Sequence, residues 1–342
     1  MALDCCIGQV VKLDRGFPLV RLQDGRTLRC EHAVDLVKEG KVRAVIGDRV
    51  EVECHEEHDK GVIADVLPRT TQLVRKDPAE RAVAQVMAAN FNLVLVAQPV
   101  SDVNVKRLER ELVLAHQTGA QVAVVLTKAD LAQGAEEVDR VRACVSQHAG
   151  AHVPVLVVSA EDVESIGAVR ALVKPNTMAV LVGKSGVGKS SLINMLVGSH
   201  VQETGAVREG DSKGRHTTVS REVVAIPGGG SVVDMPGVRG LGVWEAEDGI
   251  GAAFADVEEA ATRCRFRDCK HGDEPGCAVR AAVREGAISQ ERLESYLSLR
   301  GEVATLRERK EQARRMQGTK ASDQKAGKKS GKHRVHQSRK RR

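Results

Sequence analysis

Aromatic residues are nearly missing from this chain: one Trp, one Tyr and four Phe in 342 residues. A core so poor in rings must rest on Val, Leu, Ala and Ile. The same scarcity argues against a protein that reads single-stranded nucleic acid mainly by stacking bases on aromatic side chains. Long apolar runs are missing too. The best of them, Phe91–Ala97, is strand length, well short of the roughly 18 residues that a membrane helix needs. Met1 to Gly8 has an early Asp4 and no basic run before an apolar core, so no secretory leader is expected there. No collagen-like period and no internal repeat is present. The cysteines lack the spacing of a disulfide framework. Cys5, Cys6, Cys30, Cys54 and Cys144 are scattered, and only Cys264, Cys269 and Cys277 cluster. In a reducing compartment such a cluster points to a metal rather than to disulfides. The expectation is a cytoplasmic chain with no membrane partner.

What is present is unevenly distributed charge. The chain has 52 Lys+Arg against 46 Asp+Glu, a formal net charge of +6. Residues 318–342 hold ten Lys/Arg and one acid, Asp323, a net of +9. The remaining body has 42 basic and 45 acidic residues, a net of −3. A mildly acidic body thus carries a basic, low-complexity tail, read as disordered and suited to phosphate backbones.

The rhythm of the sequence changes along the body. Residues 1–68 read as five short strands, Cys6–Lys12, Pro18–Gln23, Arg26–Cys30, Asp48–Cys54 and Gly61–Val66, with Asp24-Gly25 as a turn. Five strands in so short a span fit a small β-barrel of the oligonucleotide-binding (OB) type. Residues 69–79, with Pro78 and several charges, read as a linker. From 80 to 244 strands alternate with helices, which predicts a parallel sheet covered by helices on both faces. Residues 245–317 read as helical around the cysteine cluster, and 318–342 as the tail.

The strongest motif is Gly183-Lys184-Ser185-Gly186-Val187-Gly188-Lys189-Ser190, which matches the phosphate-loop pattern GxxxxGK[ST]. It follows the apolar strand Ala179–Val182 and opens a helix that continues through Ser191. The glycines let the backbone turn its N–H groups toward phosphate, and the helix N-terminus adds a favourable dipole. Lys189 should reach the β- and γ-phosphates, and the Ser190 hydroxyl should bind Mg²⁺. Thr127-Lys128-Ala129-Asp130 ends another strand and resembles the NKxD motif of GTPases, with Thr for Asn. A carboxylate only accepts hydrogen bonds, and guanine presents two donors on one edge where adenine does not. The Thr removes an amide that helps brace the loop, whereas guanine selection rests on Asp130. Ser159-Ala160 resembles the loop whose backbone N–H meets the guanine oxygen.

Asp234-Met235-Pro236-Gly237 resembles DxxG, in which the Asp binds the Mg²⁺ water shell and the Gly N–H meets the γ-phosphate. Between the two phosphate motifs lies Gly214-Arg215-His216-Thr217-Thr218, in a polar stretch suited to a closing loop. Thr217 or Thr218 would close on Mg²⁺, and the sequence does not choose between them. Val238 follows Gly237, where many GTPases place a water-orienting Gln. His216 is the nearest polar candidate for that task. The base-reading motifs precede the phosphate loop, so the domain is circularly permuted.

Cys264, Cys269, His271 and Cys277 offer three thiolates and one imidazole, a closed tetrahedral set suited to one structural zinc. Cys5, Cys6, Cys30, Cys54, His55 and His58 lack compact ligand spacing and read as packing or surface residues.

The order TKAD, SA, GKSGVGKS, GRHTT, DMPG, with a barrel before it and a Cys-x₄-Cys-x-His-x₅-Cys knuckle after it, resembles the ribosome small-subunit-dependent GTPase A family. Ala88-Ala89-Asn90 and Glu274-Pro275-Gly276-Cys277 agree with it. The resemblance implies a multi-domain α/β protein. Its parts would be an OB-fold barrel, a circularly permuted P-loop GTPase domain and a helical zinc-knuckle domain. It further implies GTP hydrolysis to GDP with Mg²⁺ during late maturation of the small ribosomal subunit, stimulated by that subunit, with the subunit and its rRNA as binding partners. His216 matches the family's proposed catalytic histidine. A monomer is expected. The second reading is a GTP-gated, ribosome-binding translation regulator.

Overall fold

The computed structural model describes residues 4–14, 17–38, 43–54, 60–76, 84–199, 221–235, 244 and 246–312. Strands β1 (Asp4–Asp14), β2 (Phe17–Leu22), β3 (Thr27–His32), β4 (Arg49–Cys54) and β5 (Lys60–Val66) form the barrel, with helix α1 (Val34–Lys38) between β3 and β4. They pair in the order β1-β2-β3-β5-β4, and β4 closes back on β1. All these pairs are antiparallel except β3–β5. The closed order and the helix position are those of an OB-type barrel. Alternation drives it: Pro18, Val20 and Leu22 on β2 are buried and their neighbours are not. Val10, Val20, Leu28, Cys30, Val50, Val52 and Ile63 fill the interior. Register shifts at Val10/Lys12 and Glu51/Val52 bend the long strands so that the barrel can close.

The segment read as a linker is not irregular. Gln72–Lys76 (β6) pairs with Ala84–Ala89 (β7) as an antiparallel ladder. Thr71 Oγ1 donates to Phe91 O at 2.6 Å, and Thr70 N donates to Asn90 Oδ1 at 2.9 Å. Only Leu73 of β6 enters the core, so charge hides the strand in the sequence.

The nucleotide-type sheet runs β10 (Val155–Val157), β9 (Gln121–Thr127), β8 (Leu93–Pro99), β11 (Met178–Val182), β13 (Ser231–Asp234) and β12 (Arg221–Ala225). The first five are mutually parallel, and β12 is antiparallel at the edge, an addition to the expected parallel sheet. β8, β9 and β11 are buried almost throughout, as strands covered on both faces must be. Their side chains split by parity. Val94, Val96, Val124, Leu126, Val180 and Val182 face one core, which includes Leu108 and Leu112 of α2 (Val105–His116) and Val145 of α3 (Ala135–Ala149). Leu93, Leu95, Ala123, Val125, Ala179 and Leu181 face the other. That side is covered by Val169 of α4 (Gly167–Leu172) and by Leu192, Ile193 and Leu196 of α5 (Lys189–Val197).

The first core continues into the C-terminal helices α6 (Glu247–Ala253), α7 (Ala255–Ala261), α8 (Ala278–Arg284) and α9 (290–312), through Phe254, Val257, Val279 and Tyr296. Gly249 lets α6 approach α2: a Cβ there would lie 2.2 Å from Val113 O. β12 also pairs with β1 of the barrel, where Lys12 Nζ meets Glu222 at 2.6 Å. Among the described residues no helix is long and apolar enough to cross a membrane.

Candidate nucleotide site and metal centre

β11 delivers the chain to Gly183 at the carboxyl edge of the sheet, between β8 and β13. Gly183, Gly186 and Gly188 adopt φ of +145°, +82° and +99°, a region open to glycine and costly for other residues. A Cβ on Gly183 would stand 2.6 Å from Ala97 O, so the loop also needs glycine for its approach to β8. Lys184, Ser185 and Gly186 are exposed, whereas Val187 and Lys189 are buried. α5 starts at Lys189 with no side chain capping it, so its first N–H groups face the loop. Lys189 Nζ donates to Gly183 O at 3.0 Å and to Lys184 O at 3.2 Å, curling over its own loop. Burial pulls its pKa down, and the charges of Asp234 and Glu111 pull it back up.

Asp234 closes β13 beside Leu181. Its Oδ1 is buried without a hydrogen-bond partner among the described residues. Burial raises this carboxyl's pKa and Lys189 lowers it. An orphaned carboxylate oxygen facing the phosphate-loop lysine fits a place in the shell of a hydrated Mg²⁺.

β9 ends at Thr127, whose buried hydroxyl lies within hydrogen-bonding reach of Val187 O in the phosphate loop and, at 3.2 Å, of Gln98 O on β8. The hydroxyl thus supplies the brace that the usual Asn would give. Lys128 takes the left-handed conformation at φ +57° and turns the chain toward Asp130. Asp130 Oδ1 accepts from Ala160 N at 3.0 Å and from Ser159 Oγ at 3.3 Å. The two base-reading loops are therefore tied to each other at the same edge as the phosphate loop. In this arrangement the Ala160 N–H is taken by Asp130. His216, Thr217, Thr218, Gly237 and Val238 lie outside the described residues.

Two site residues were not anticipated. Gln98 and Glu111 are both buried, and Gln98 Nε2 donates to Glu111 Oε2 at 2.6 Å. The available signal was an acid on the apolar face of α2, between Leu108 and Leu112.

The four metal-ligand candidates converge. Their ligand atoms lie within 4.8 Å of one another. His271 Nδ1 is 3.7 Å from Cys264 Sγ and 3.6 Å from Cys277 Sγ, and the two sulfurs are 3.9 Å apart. A tetrahedral ion with bonds of about 2.3 Å to sulfur and 2.0–2.1 Å to nitrogen demands edges of roughly 3.8 and 3.6 Å. The donor set and its spacing fit such an ion. Arg280 N–H donates to Cys277 Sγ at 3.5 Å, and the Arg280 side chain holds Gly272 O at 2.6 Å. Of the scattered cysteines, Cys30 packs inside the barrel while Cys5 and Cys144 are exposed. His55 and His58 lie outside the described residues.

The family model described as RsgA GTPase matches residues 66–244. A Streptomyces coelicolor protein named small ribosomal subunit biogenesis GTPase RsgA is 42% identical over 294 residues, covering 85% of this chain and 79% of that one. A protein of the same name from Xanthomonas euvesicatoria is 42% identical over 268 residues, covering 78% and 71%. The crystal structure of YjeQ from Thermotoga maritima aligns with TM-score 0.64 at 26% identity, over 86% of this chain and 97% of that one. YloQ, described as a circularly permuted GTPase, aligns with TM-score 0.64 at 23% identity, over 88% and 96%, and supports the fold.

Proposed function

The chain belongs to the RsgA GTPase family, and from that premise we propose that it hydrolyses GTP to GDP on the small ribosomal subunit during late maturation. The observation that carries this reading is the joint at Thr127. One hydroxyl bridges the strand that reads the base to the loop that holds the phosphates. In this reading Asp130 accepts the two guanine donors, Lys128 lays its stem along the base, and the Ala160 N–H leaves Asp130 to contact the guanine oxygen. The backbone of Gly183–Ser190 cradles the phosphates, and Lys189 leaves its loop carbonyls to serve them. Ser190 and Thr217 or Thr218 hold Mg²⁺, Asp234 holds its water shell, and Gly237 meets the γ-phosphate. His216 orients the attacking water, because Val238 has no polar group to do so. Intrinsic turnover is therefore slow.

The Cys264, Cys269, His271 and Cys277 set holds one structural zinc, which fixes the fold of its loop and takes no part in the chemistry. The functional units are the barrel (1–68), the permuted GTPase domain (80–244), the zinc domain (245–317) and the basic tail (318–342), with 69–79 joining the first two. The protein acts as a cytoplasmic monomer, and rRNA is recognised through its backbone and shape.

Turnover with purified subunits tests this reading. Small subunits should raise GTP hydrolysis by about two orders of magnitude or more, and His216→Ala should remove most of that gain. Large subunits should do nothing. Turnover indifferent to small subunits would refute the assignment and favour a GTP-gated translation regulator.

A further inference from the structure

We propose that Glu111 is a positioning residue of the nucleotide site: a buried counter-charge to Lys189 that takes up a proton when the polyphosphate binds. The inference rests on the reading of residues 183–190 as the phosphate cradle.

Glu111 sits where the helix pattern calls for an apolar residue. Leu108, Leu112 and Ala115 of α2 pack in the core, and Glu111 is only 4% exposed among them. A carboxylate in such a place costs stability that Leu or Met would not. A position that breaks the local rule beside a ligand loop points to a role in the site.

Its connections run to both halves of the nucleotide site. Glu111 Oε2 accepts from Gln98 Nε2 at 2.6 Å, and Gln98 O faces the Thr127 hydroxyl at 3.2 Å. That hydroxyl also reaches Val187 O in the phosphate loop. The charges acting on Glu111 are Arg107, on its own helix, and Lys189, on α5. Beyond Lys189 stands Asp234 on β13, the second acid acting on that ammonium. Burial pushes the Glu111 carboxyl up to about 7, against the pull of Arg107, the Gln98 bond and Lys189. Near neutral pH it is therefore divided between its two forms.

Arriving phosphates bring several negative charges into this field. Lys189 turns to them, and an ionised Glu111 behind it opposes them. A proton from solvent adds to one carboxylate oxygen of Glu111 and removes that opposition, with no bond made to the nucleotide. The sign follows from linkage. The complex holds more protons than the free protein, so affinity falls as pH rises above about 7. Below that value Glu111 is already protonated, and affinity is flat.

The test is binding of Mg-GDP to the full chain at pH 6 and pH 8.5, for wild type and Glu111→Gln. Ionisation of the nucleotide is common to both proteins and cancels in their ratio. The variant keeps an acceptor for Gln98 but cannot ionise. It should match wild type within about twofold at pH 6 and bind roughly five- to tenfold tighter at pH 8.5. Identical pH profiles would overturn the proposal. A residue with only a structural role would instead weaken binding alike at both pH values. Infrared difference spectra of the wild type provide a reading that needs no variant: adding Mg-GDP at pH 7.5 should produce a protonated-carboxyl band. Its absence would overturn the proposal even if the variant did not fold. If GDP fails to bind the wild type at all, the reading of residues 183–190 falls and this inference with it.

Discussion

The guanidinium of Arg292 donates to Oε1 of Glu109 at 3.0 Å, fastening α9 to α2. The same guanidinium holds both carboxylate oxygens of Asp256, at 2.6 and 2.7 Å, and lies 4.7 Å over the Phe254 ring. His148 Nδ1 reaches the same Glu109 oxygen at 2.8 Å. Arg292 and Glu109 side chains are 6% and 2% exposed, so their ion pair is buried between the nucleotide sheet and the C-terminal helices, whereas Asp256 is open to solvent. Two residues further along α2, on the opposite side of the helix, Glu111 meets Gln98 at the nucleotide loops. One helix thus touches both the site and the C-terminal helices through carboxylates.

Removing Arg292 alone should be severe. Arg292→Met leaves Glu109 buried with only the His148 imidazole beside it and should cost about 3–5 kcal/mol. Pairing Arg292→Met with Glu109→Leu should recover part of that loss, because the desolvation penalty of both buried charges disappears together while Asp256, which also loses Arg292, can turn to solvent. Urea unfolding of Arg292→Met, Glu109→Leu and the double variant measures the coupling. Additive losses would mean that the contact contributes nothing of its own.

Thr127→Val keeps the shape of the side chain and removes the hydroxyl that joins Gln98 O and Val187 O. The carbonyls lose a donor in a buried setting, a penalty of about 1–3 kcal/mol. Part of it should appear as loss of loop geometry, with GDP affinity falling about tenfold while the thermal midpoint changes little. Thr127→Asn should restore binding if the brace, rather than the side-chain size, is what matters. Titration with a fluorescent GDP analogue separates these outcomes.

Legibility in the sequence followed how local each constraint is. The barrel strands show in the alternation of Pro18, Val20 and Leu22, because the period of a half-buried strand is written in neighbouring residues. The phosphate loop shows because three glycines and Lys189 are needed within eight positions. The metal set shows because Cys264 and Cys277 bracket a short loop. The strand Gln72–Lys76 was hidden because its partner Ala84–Ala89, rather than its own composition, holds it. The edge strand Arg221–Ala225 is likewise defined by its pairing with Ser231–Asp234 and with β1. The joint of Gln98, Glu111 and Thr127 was hidden for the same reason: its members stand 13 and 29 residues apart and meet only in the folded sheet.

Stability should also report on Glu111. Its carboxyl is raised from 4.5 to about 7 in the fold, so the folded protein holds a proton that the unfolded chain has released. Its contribution to stability therefore falls as pH rises from about 4.5 to about 7 and stays low above that. A shift of this size corresponds to roughly 3 kcal/mol. Glu111→Gln should accordingly be more stable than wild type by up to that amount at pH 8 and nearly equal at pH 4.5. Chemical denaturation at the two pH values measures it, and a variant less stable than wild type at pH 8 contradicts the assignment.

Metal removal should act on one part of the molecule. Cys277 is buried, caps α8, and accepts the Arg280 N–H through its sulfur. Structural zinc in such sites contributes on the order of 10 kcal/mol of apparent binding energy. Cys277→Ser, or chelation under mild denaturant, should therefore release one zinc per chain and expose the amides of 262–286 to hydrogen exchange. GDP affinity should stay within about twofold, because none of the four ligands belongs to the nucleotide loops. Elemental analysis together with exchange mass spectrometry reads both effects.

The basic segment 318–342 carries a net +9 on a body of −3, so its contribution to ribosome binding should be electrostatic and separable. Each phosphate that a Lys or Arg neutralises releases counterions and steepens the fall of affinity with salt, by about 0.7–0.9 in the logarithmic slope. If half of the ten basic residues engage rRNA, deleting 318–342 should flatten the slope of small-subunit binding by roughly four. Basal GTP hydrolysis should be unchanged, since no nucleotide motif lies in the deleted segment. Binding measured from low to physiological salt gives the slope directly. An unchanged slope would mean that the rRNA contacts come from the body despite its negative charge, with the barrel and the metal knuckle as the places to look for them.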